Sequence, residues 1–322
     1  MSCQYAFKIR CAHWLLARIS LLQSICLLLW LGERAYHEIE PPIHPWIVYI
    51  YIGIGLIAST GIASRFLTRL SLTIILFSQI YIAYLFGVEK RLGYSRCLRA
   101  RIGLRCLTTV GIYFRLLGVN NYVNHDKSIT NKQTHKPYSN FYAFGLAIMS
   151  VSVSLLGIFC IPLELFQLDK DIQLTEIHST WILPVNSYCC SLFSFFLGIC
   201  MLMAGFIYSI PVIIHNKLMN NTDSFFSYNN YIFRFSDYLV AFSFLMFSLS
   251  RDCNFNYWHI KGCEFWLEIR VLLENITVLL GIPVINHLLT INMNGKYSKS
   301  MKENFRSSKT ETTNSKNDYL TG

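Results

Sequence analysis

The chain has 322 residues, of which 53% are hydrophobic and only 14% are charged, and its mean hydropathy is +0.38. Soluble domains carry about a quarter charged residues, so this composition argues against an ordinary soluble fold. The formal charge of +10 comes from basic residues that flank apolar runs. A nucleic-acid-binding domain would instead carry its basic residues on a polar surface, so we predict no nucleic-acid partner.

Apolar runs recur along the chain, and each is long enough to cross a lipid bilayer as a helix, which takes about 20 residues. The sequence therefore predicts an all-α fold, a polytopic membrane helix bundle with about eight transmembrane helices. The bundle occupies residues 12–291, between a basic N-terminal head at 1–11 and a polar tail at 292–322 that we expect to be disordered. The predicted spans lie near 12–31, 46–64, 70–88, 102–119, 141–165, 187–214, 231–250 and 270–291.

The first span has a second interpretation, because Lys8 and Arg10 precede its leucine-rich stretch as in a cleavable signal peptide. The residues that follow the span, Gly32-Glu33-Arg34-Ala35, lack the small-x-small pattern of a cleavage site. We therefore favour an uncleaved membrane anchor.

The second span carries features of a helix that sits at the interface and packs closely against a neighbour. It opens with aromatic residues whose rings are typical of the membrane–water interface, namely Trp46, Tyr49 and Tyr51. Small residues then recur every four positions, at Gly55, Ser59 and Ala63. Such a face lets another helix approach closely, and Ser194 with Gly198 predicts a similar contact in the sixth span.

Two polar connections lie in the first half of the chain. Residues 89–105 form the densest basic stretch, which is either a solvated linker or a surface for anionic lipid headgroups or an acidic partner. The candidate headgroup contacts in this stretch are Lys90, Arg91, Arg96, Arg99 and Arg101. Residues 120–140 are rich in Asn, His, Lys and Thr, and we predict a loop there.

The distribution of basic residues suggests an orientation. An even number of spans puts both termini on one side of the membrane, and that side collects more of the lysines and arginines. The positive-inside rule therefore favours cytoplasmic termini. In this orientation the Asn220-Asn221-Thr222 sequon is cytoplasmic and unglycosylated. The sequence indicates a multi-pass membrane location without identifying the organelle.

The sequence contains no motif that predicts a catalytic, cofactor or metal site. Cys189 and Cys190 are adjacent rather than spaced as zinc ligands, and most other cysteines lie inside apolar runs. There is no glycine-rich phosphate loop, no G-x-S-x-G nucleophile elbow and no H-E-x-x-H zinc motif. We therefore predict no catalytic residues, no bound metal and no cofactor, and the chain is not predicted to be an enzyme.

Ionisable residues at membrane depth are the better functional lead, because a charge there costs several kcal/mol unless it is paired or hydrated. The candidates are Arg18, Arg105, Arg115, Glu274 and His287. Glu274 follows Arg270 by four residues, so the two side chains can meet on one helix face. One interpretation is an interfacial ion pair that fixes the depth of the helix. The other is a buried carboxylate that pairs with Arg105 or Arg115.

The connection before the last span is rich in aromatic residues. His259, beside Trp258, is either a pH-sensitive switch or an interfacial anchor that donates to a backbone carbonyl. Trp258 and Trp266 are typical of the aromatic belt at a membrane interface.

Short patterns in three places occur in a recognisable order. Glu33-Arg34-Ala35 follows the first span, Gly93-Tyr94 follows the third, and Tyr257-Trp258-His259 with Glu264-Phe265-Trp266 leads into the last. In this order the patterns resemble the transmembrane protein 101 family, over the chain up to Arg115 and over the last span. The candidate signature residues are Glu33, Arg34, Tyr257, Trp258, His259, Glu264, Phe265, Trp266, Arg270 and Glu274.

This resemblance implies an eight-span membrane protein associated with activation of NF-kappaB signalling, and it supplies no catalytic or binding residues. The chain departs from the family in its polar loop after Val119 and its charged tail after Ile291. Three classes of function stay open: a protein that acts through membrane or protein partners, a small-solute or ion transporter or channel, and an intramembrane enzyme. A hydrated cavity lined by Arg115, Glu274 and His287 would favour transport. A packed apolar interior would favour action through partners.

Overall fold

The structure is a computed structural model that describes residues 2–37, 39, 41–63, 67–89, 92–94, 96–128, 140–160, 187–217, 223–249 and 264–290. Every regular element within these ranges is a helix, so the predicted all-α helix bundle is confirmed. The helices are α1 (Ser2–Tyr36), α2 (Pro45–Ala63), α3 (Thr68–Val88), α4 (Arg96–Ser128), α5 (Asn140–Cys160), α6 (Ser187–Lys217), α7 (Asp223–Phe247) and α8 (Phe265–Thr290).

Six of the helices in the described ranges, α1 to α5 and α8, contain segments long and apolar enough to cross a membrane. α6 carries a shorter apolar segment at Phe195–Ile210. The chain is therefore a membrane protein. The cytoplasmic location of its termini stays a prediction.

Two helices extend beyond the ranges that the sequence predicted. α1 begins at Ser2, so residues 2–11 continue the first helix rather than forming a separate head. α4 continues to Ser128, which corrects the loop predicted from residue 120. Neither stretch contains glycine or proline, so nothing in it stops a helix. Hydropathy marks only the part of a helix that lies in the bilayer. The predicted tail at 292–322 lies outside the described residues.

α4 is the central helix of the bundle. In the most apolar 18 residues of its segment Leu98–Val119, 94% of the residues are buried, against 50% or less in the corresponding stretches of the other five spanning segments. α3, α4, α5 and α6 pack in succession, each against the next along the chain. The outer helices leave large apolar side chains such as Ile57, Phe77 and Phe206 exposed, as expected for surfaces that face lipid acyl chains.

Glycines set the closest helix approaches. A Cβ atom on Gly145 of α5 would lie 2.8 Å from both the Arg115 backbone nitrogen and the Gly111 carbonyl oxygen of α4. A Cβ atom on Gly157 would lie 2.7 Å from the carbonyl oxygen of Gly198, so α5 and α6 approach closely at one of the predicted small residues. α4, α5 and α6 therefore approach to near backbone contact at these glycines.

One end of the bundle, here called the Arg34 end, gathers the elements that position the candidate site. The helix termini that meet there include the C-terminal ends of α1, α3 and α5 and the N-terminal ends of α2, α4 and α8. The contacts described below join these termini to one another. The residues involved include several that the resemblance singled out.

Candidate functional site

Arg34, near the end of α1, lies at the centre of a buried network that reaches α8 and the connection between α3 and α4. Its guanidinium forms a salt bridge with Glu264, with 3.0 Å between Arg34 Nη1 and Glu264 Oε1. The same nitrogen donates to the carbonyl oxygen of Leu92, 3.2 Å away. Tyr94 donates to the second oxygen of Glu264, and Trp30 Nε1 donates to the Tyr94 hydroxyl at 3.3 Å. We call these five residues the Arg34 network.

Glu33 holds the first turn of α8. Its two carboxylate oxygens accept hydrogen bonds from the backbone N–H groups of Phe265, at 2.9 Å, and Trp266, at 3.1 Å. These N–H groups have no partner inside their own helix, and a negative charge beside them also interacts favourably with the helix dipole. Gly93 has a φ of 76°, a left-handed conformation that favours glycine, in the connection that brings Tyr94 to Glu264.

Residues from all three places that carry the family resemblance thus meet at the Arg34 end: Glu33 and Arg34, Gly93 and Tyr94, and Glu264 to Trp266. The side chains of Arg34 and Glu264 are 2% and 6% exposed, so their ion pair is shielded from water. A buried ion pair of this kind fixes geometry more than it adds stability, because desolvation offsets the attraction. The network therefore holds three segments that are far apart in the sequence in one arrangement.

Arg270 and Glu274 form the predicted contact on α8, with 3.4 Å between Arg270 Nε and Glu274 Oε1. Their side chains are 3% and 1% exposed, and Glu274 lies about 15 Å along the helix from Glu264. If the start of α8 is taken as the edge of a hydrocarbon core of about 30 Å, this distance places Glu274 near mid-depth. Cys106 of α4 donates its thiol to both carboxylate oxygens, at 3.0 and 3.2 Å, and Arg105 interacts with the carboxylate electrostatically.

A chain of neutral hydrogen bonds lies beside this pair. Gln79 Nε2 donates to Gln23 Oε1 at 2.6 Å, and Gln23 Nε2 donates to Thr277 Oγ1 at 3.3 Å. Arg270 Nη1 donates to the backbone carbonyl of Gln23 at 3.4 Å. The chain joins α1, α3 and α8 through groups that find no water in the hydrocarbon core.

Arg115 does not pair with Glu274, which corrects one of the predicted alternatives. It binds Asp237 of α7 through two hydrogen bonds, 2.8 Å from Nη1 to Oδ1 and 3.1 Å from Nη2 to Oδ2. Arg115 Nη2 also donates to the Tyr142 hydroxyl at 3.2 Å, and Tyr208 donates to Asp237. The rings of Tyr142 and Tyr208 lie 5.3 and 5.5 Å from the guanidinium carbon, within cation–π range. Four helices, α4 to α7, therefore meet at one completely buried charge pair.

Asp237 is the main site residue that the sequence reasoning missed. It lies inside the predicted span at 231–250, yet it is not among the ionisable residues singled out at membrane depth. α7 begins at Asp223, so Asp237 is well inside the helix, and its side chain is 0% exposed. Aromatic and aliphatic residues stand on both sides of it in the sequence, and that flanking pattern is the signal for an intramembrane position.

Two of the five candidate lipid-binding residues donate hydrogen bonds to backbone carbonyl groups at the C-terminal ends of helices. Arg99 Nη1 donates to the carbonyl oxygen of Glu89 at 3.1 Å, just after α3, and Arg101 Nη2 donates to that of Phe159 at 3.1 Å, near the end of α5. The last carbonyl groups of a helix lack partners and favour a nearby cation.

The other predicted positions divide into three groups. Arg96 is exposed, whereas Lys90 and Arg91 lie outside the described residues. Tyr257, Trp258 and His259 also lie outside them, so the choice between a pH switch and an anchor stays open. Arg18 lies with its guanidinium carbon 5.6 Å from the centroid of the exposed Trp14 ring. His287 is partly buried in the last turn of α8.

A cavity of about 50 Å³ lies at the end of the bundle opposite the Arg34 end. Apolar side chains such as Leu16 and Leu72 provide most of its lining, and Arg115, Glu274 and His287 do not line it. An engineered cavity of about 150 Å³ admits benzene, so this one has room for a few water molecules and no larger solute. In the ranges that the structure describes, no three His, Cys, Asp or Glu side chains are placed to hold a metal ion.

Comparisons with known proteins add no relative, since no family model, no curated protein and no solved structure matches the chain. The resemblance to the transmembrane protein 101 family therefore rests on the quoted residues alone and stays a prediction. The geometry stands independently of it. The buried polar sites of the described residues include the Arg34 network at one end, Arg270 with Glu274 near mid-depth, and Arg115 with Asp237 beyond them.

Proposed function

We propose that this membrane protein acts through lipid and protein partners, without transporting a solute or catalysing a reaction. The observation that carries the proposal is the packed, charge-paired interior of the described bundle. Arg115 is bound to Asp237 and Arg270 to Glu274, and the cavity of about 50 Å³ described above is lined mostly by apolar side chains. Transporters often build their midplane site from interrupted helices, whereas α4 and α8 are continuous through the membrane.

The Arg34 end is the proposed partner surface. Tyr36 is 85% exposed and Trp46 is 59% exposed, and Ile39 is also exposed in the connection between them. The adjacent Arg34 network holds this region in one arrangement. A surface that is already ordered loses little conformational entropy on binding, which favours association. Aromatic side chains serve both membrane interfaces and protein interfaces, so they suit a partner that is itself in the membrane.

Site-specific photo-crosslinking in membranes tests this surface. A photoreactive residue at position 36 should give discrete adducts with protein partners. The same residue at position 206, which is exposed on the lipid-facing side of α6, should react mainly with lipid and serves as the matched control. Arg34→Gln should weaken the protein adducts from position 36, whereas Arg18→Gln should leave them unchanged. Equal adduct patterns from positions 36 and 206 would refute a partner surface at the Arg34 end.

Anionic lipid headgroups are the second proposed partner, at Lys90, Arg91, Arg96, Arg99 and Arg101, and this proposal requires the orientation opposite to the one that the positive-inside rule favours. The density of positive charge supports this proposal, since each basic residue near an anionic surface contributes about 1 kcal/mol. Native mass spectrometry of the purified protein with phosphatidylinositol phosphates tests it. Arg96→Gln should reduce lipid retention, because Arg96 is exposed, and Arg69→Gln, exposed at the start of α3, is the control. Equal retention by both variants would argue against specific headgroup contacts.

The association with NF-kappaB signalling is a finer proposal that rests on the family resemblance. An NF-kappaB reporter in cells that express the chain tests it, with an unrelated multi-pass protein at the same membrane level as the control for membrane stress. A response that matches this control would remove the proposal. A larger response that falls with Arg34→Gln would connect signalling to the Arg34 end.

Transport is the alternative function, and the buried carboxylate of Glu274 near mid-depth is the observation that favours it. Purified protein in sealed vesicles should show no flux of protons, inorganic ions or small solutes above that of empty vesicles. A flux that Glu274→Gln abolishes would replace the partner proposal with transport. A flux that this variant leaves unchanged would point to a path elsewhere and would equally count against a packed interior.

A further inference from the structure

A buried stack of side chains joins the two ion pairs of α8. The guanidinium carbon of Arg270 lies 5.2 Å from the centroid of the Phe86 ring. The Phe86 ring packs against Trp30 with 5.4 Å between centroids. The guanidinium carbon of Arg34 lies 5.3 Å from the centroid of the Trp30 ring. We call these four residues the relay. The relay begins at Arg270 of α8 and continues through Phe86 of α3 and Trp30 of α1. It ends at Arg34 of α1, which pairs with Glu264 at the start of α8.

The relay is enclosed in a tightly packed apolar cluster. Its four side chains belong to residues that are 1% or 2% exposed. Leu27, Ile102 and Val271 belong to the same cluster as the two rings. Cation–π contacts are strongest where water is excluded. A close-packed interior transmits a displacement instead of absorbing it, because there is little free space into which a ring can move.

We propose that the relay couples the two ion pairs, so that a change at Glu274 near mid-depth alters the position of Arg34 and loosens the Arg34 end. The coupling is a property of the fold and does not need a partner. Its biological use rests on the proposed function. If partners dock at the Arg34 end, a ligand or a neighbouring helix that disturbs Glu274 would regulate that docking from inside the membrane.

The steps of the coupling follow from the contacts. When Glu274 loses its charge, Arg270 still contacts the Gln23 carbonyl and the Phe86 ring of other helices. The guanidinium shifts over Phe86, and the two rings repack. Trp30 supports both Arg34 and the Tyr94 hydroxyl, so the contacts of the Arg34 network weaken together.

Groups outside the relay provide a second route by which Glu264 and Glu274 could be coupled. Arg105 and Cys106 of α4 also contact or interact with Glu274. Glu268, buried on α8 between the two pairs, offers a path along the helix that bypasses the rings. Glu264 and Glu274 are about 15 Å apart along α8. Substitutions more than about 7–10 Å apart ordinarily have additive effects, so additivity is the expected result if neither route operates.

A double-mutant cycle measures the coupling. Glu264→Gln, Glu274→Gln and the double variant are purified in detergent, and the shift of the melting temperature is measured for each. The relay predicts that the double variant loses less than the sum of the two single shifts. Ser150→Ala, which removes a hydrogen bond to Gly205 far from the relay, should be additive with Glu264→Gln and is the matched control. Additive shifts for the Glu264 and Glu274 variants would overturn the proposal.

Phe86→Leu separates the two routes. The substitution keeps an apolar side chain while removing the ring that joins Arg270 to Trp30. In this background the Glu264→Gln and Glu274→Gln shifts should become additive. Coupling that persists without the ring runs along α8, and that result would also overturn the relay.

Limited trypsin digestion supplies a local readout of the Arg34 end, with Ser150→Ala as the control for cleavage that follows from a general loss of stability. Trypsin cleaves after Lys90 and Arg91, in the connection where Arg34 binds the Leu92 carbonyl. Glu274→Gln should increase cleavage there several-fold, and Ser150→Ala should not. Increased cleavage by Arg34→Gln but not by Glu274→Gln would refute the coupling even if the double variant does not fold. An absence of crosslinks from position 36 would reject the partner surface and leave this result standing.

Discussion

Two of the buried ion pairs in the described part of the bundle neutralise their charges in different ways. Arg115 and Asp237 come from α4 and α7, share two hydrogen bonds and lie between two tyrosine rings. Arg270 and Glu274 come from one turn of α8 and share a single contact of 3.4 Å. The first pair joins distant segments, whereas the second neutralises a charge within its own helix. The comparison shows two ways in which a buried ion pair contacts neighbouring helices: the first pair is itself the link, whereas in the second each partner makes separate contacts with other helices.

This difference determines which contacts remain for the arginine of each pair when its acidic partner is removed. Without Asp237, the remaining partners of Arg115 include the Tyr142 hydroxyl, the Met149 sulfur and two ring faces, none of which carries a compensating charge. Without the charge of Glu274, Arg270 still reaches the Gln23 carbonyl and Phe86, and an amide at position 274 still accepts a hydrogen bond from Cys106. The Arg115 site is therefore expected to be much less tolerant of substitution.

The largest effect is expected for Asp237→Asn. The variant leaves a buried arginine without its counter-charge, which costs about 3–5 kcal/mol when one partner of a buried pair is removed. We expect a strongly reduced yield of folded protein and a lower melting temperature in detergent. Fluorescence-detected size-exclusion chromatography after a heating series measures both.

A double substitution provides the control for that result. Arg115→Met combined with Asp237→Leu removes both charges and keeps apolar volume, which is often neutral or stabilising at buried pairs. The double variant should therefore recover much of the yield lost in Asp237→Asn. If it remains as unstable as the single variant, the pair contributes through its geometry and hydrogen bonds rather than through charge balance.

Glu274→Gln should have a smaller effect, a loss of about 1–3 kcal/mol from a weakened buried hydrogen-bonding group. The reason is that its partners on α4 and α8 keep most of their contacts. Thermal unfolding under the conditions used for Asp237→Asn measures the difference. Unchanged expression and melting temperature would contradict the assignment of Glu274 as a buried paired carboxylate.

Gly145→Ala tests whether the Arg115 site depends on the close approach of α4 and α5. Overpacking costs about 1–3 kcal/mol, and the better helix propensity of alanine offsets up to about 1 kcal/mol of it. We therefore expect a net loss of about 1 kcal/mol, measured by the same unfolding assay. Gly53→Ala is the matched control, because a Cβ atom there meets nothing within 4 Å, and it should be neutral or stabilising. Equal effects at the two glycines would mean that the Arg115 site does not need tight packing.

Most of the fold could be predicted from the sequence, because a hydrocarbon core imposes length and apolarity on every helix that crosses it. The helices of the described chain overlap the predicted spans, including the one that crosses near Trp46. The errors lie outside the bilayer, where α1 starts at Ser2 and α4 continues to Ser128. Hydropathy carries no information there, since a polar helix and a polar loop have the same composition.

The candidate site could be predicted only where its partners are close in the sequence. Arg270 and Glu274 are four residues apart, so helical geometry alone brought them together. The Arg34–Glu264 and Arg115–Asp237 pairs span 230 and 122 positions, and no periodicity identifies which charge meets which. The family resemblance did select Glu33, Arg34 and Glu264, but without indicating that they touch. Long-range pairing depends on helix packing, which a single sequence does not specify.

The smallest loss of stability is expected at Cys106. It tests how much of the stabilisation by Glu274 depends on the contact with α4. The Cys106 thiol of α4 donates to the Glu274 carboxylate, and a thiol is a weak hydrogen-bond donor. Cys106→Ala should cost about 0.5 kcal/mol more than Cys106→Ser, because serine keeps a donor of similar size and net hydrogen-bond contributions begin at about that value. Thermal unfolding of the two variants gives the difference. A loss in Cys106→Ala as large as that of Glu274→Gln would show that most of what Glu274 contributes passes through α4. In that case the pair of α8 would link helices as the Arg115 pair does, and the distinction between a local and a joining ion pair would not hold for this bundle.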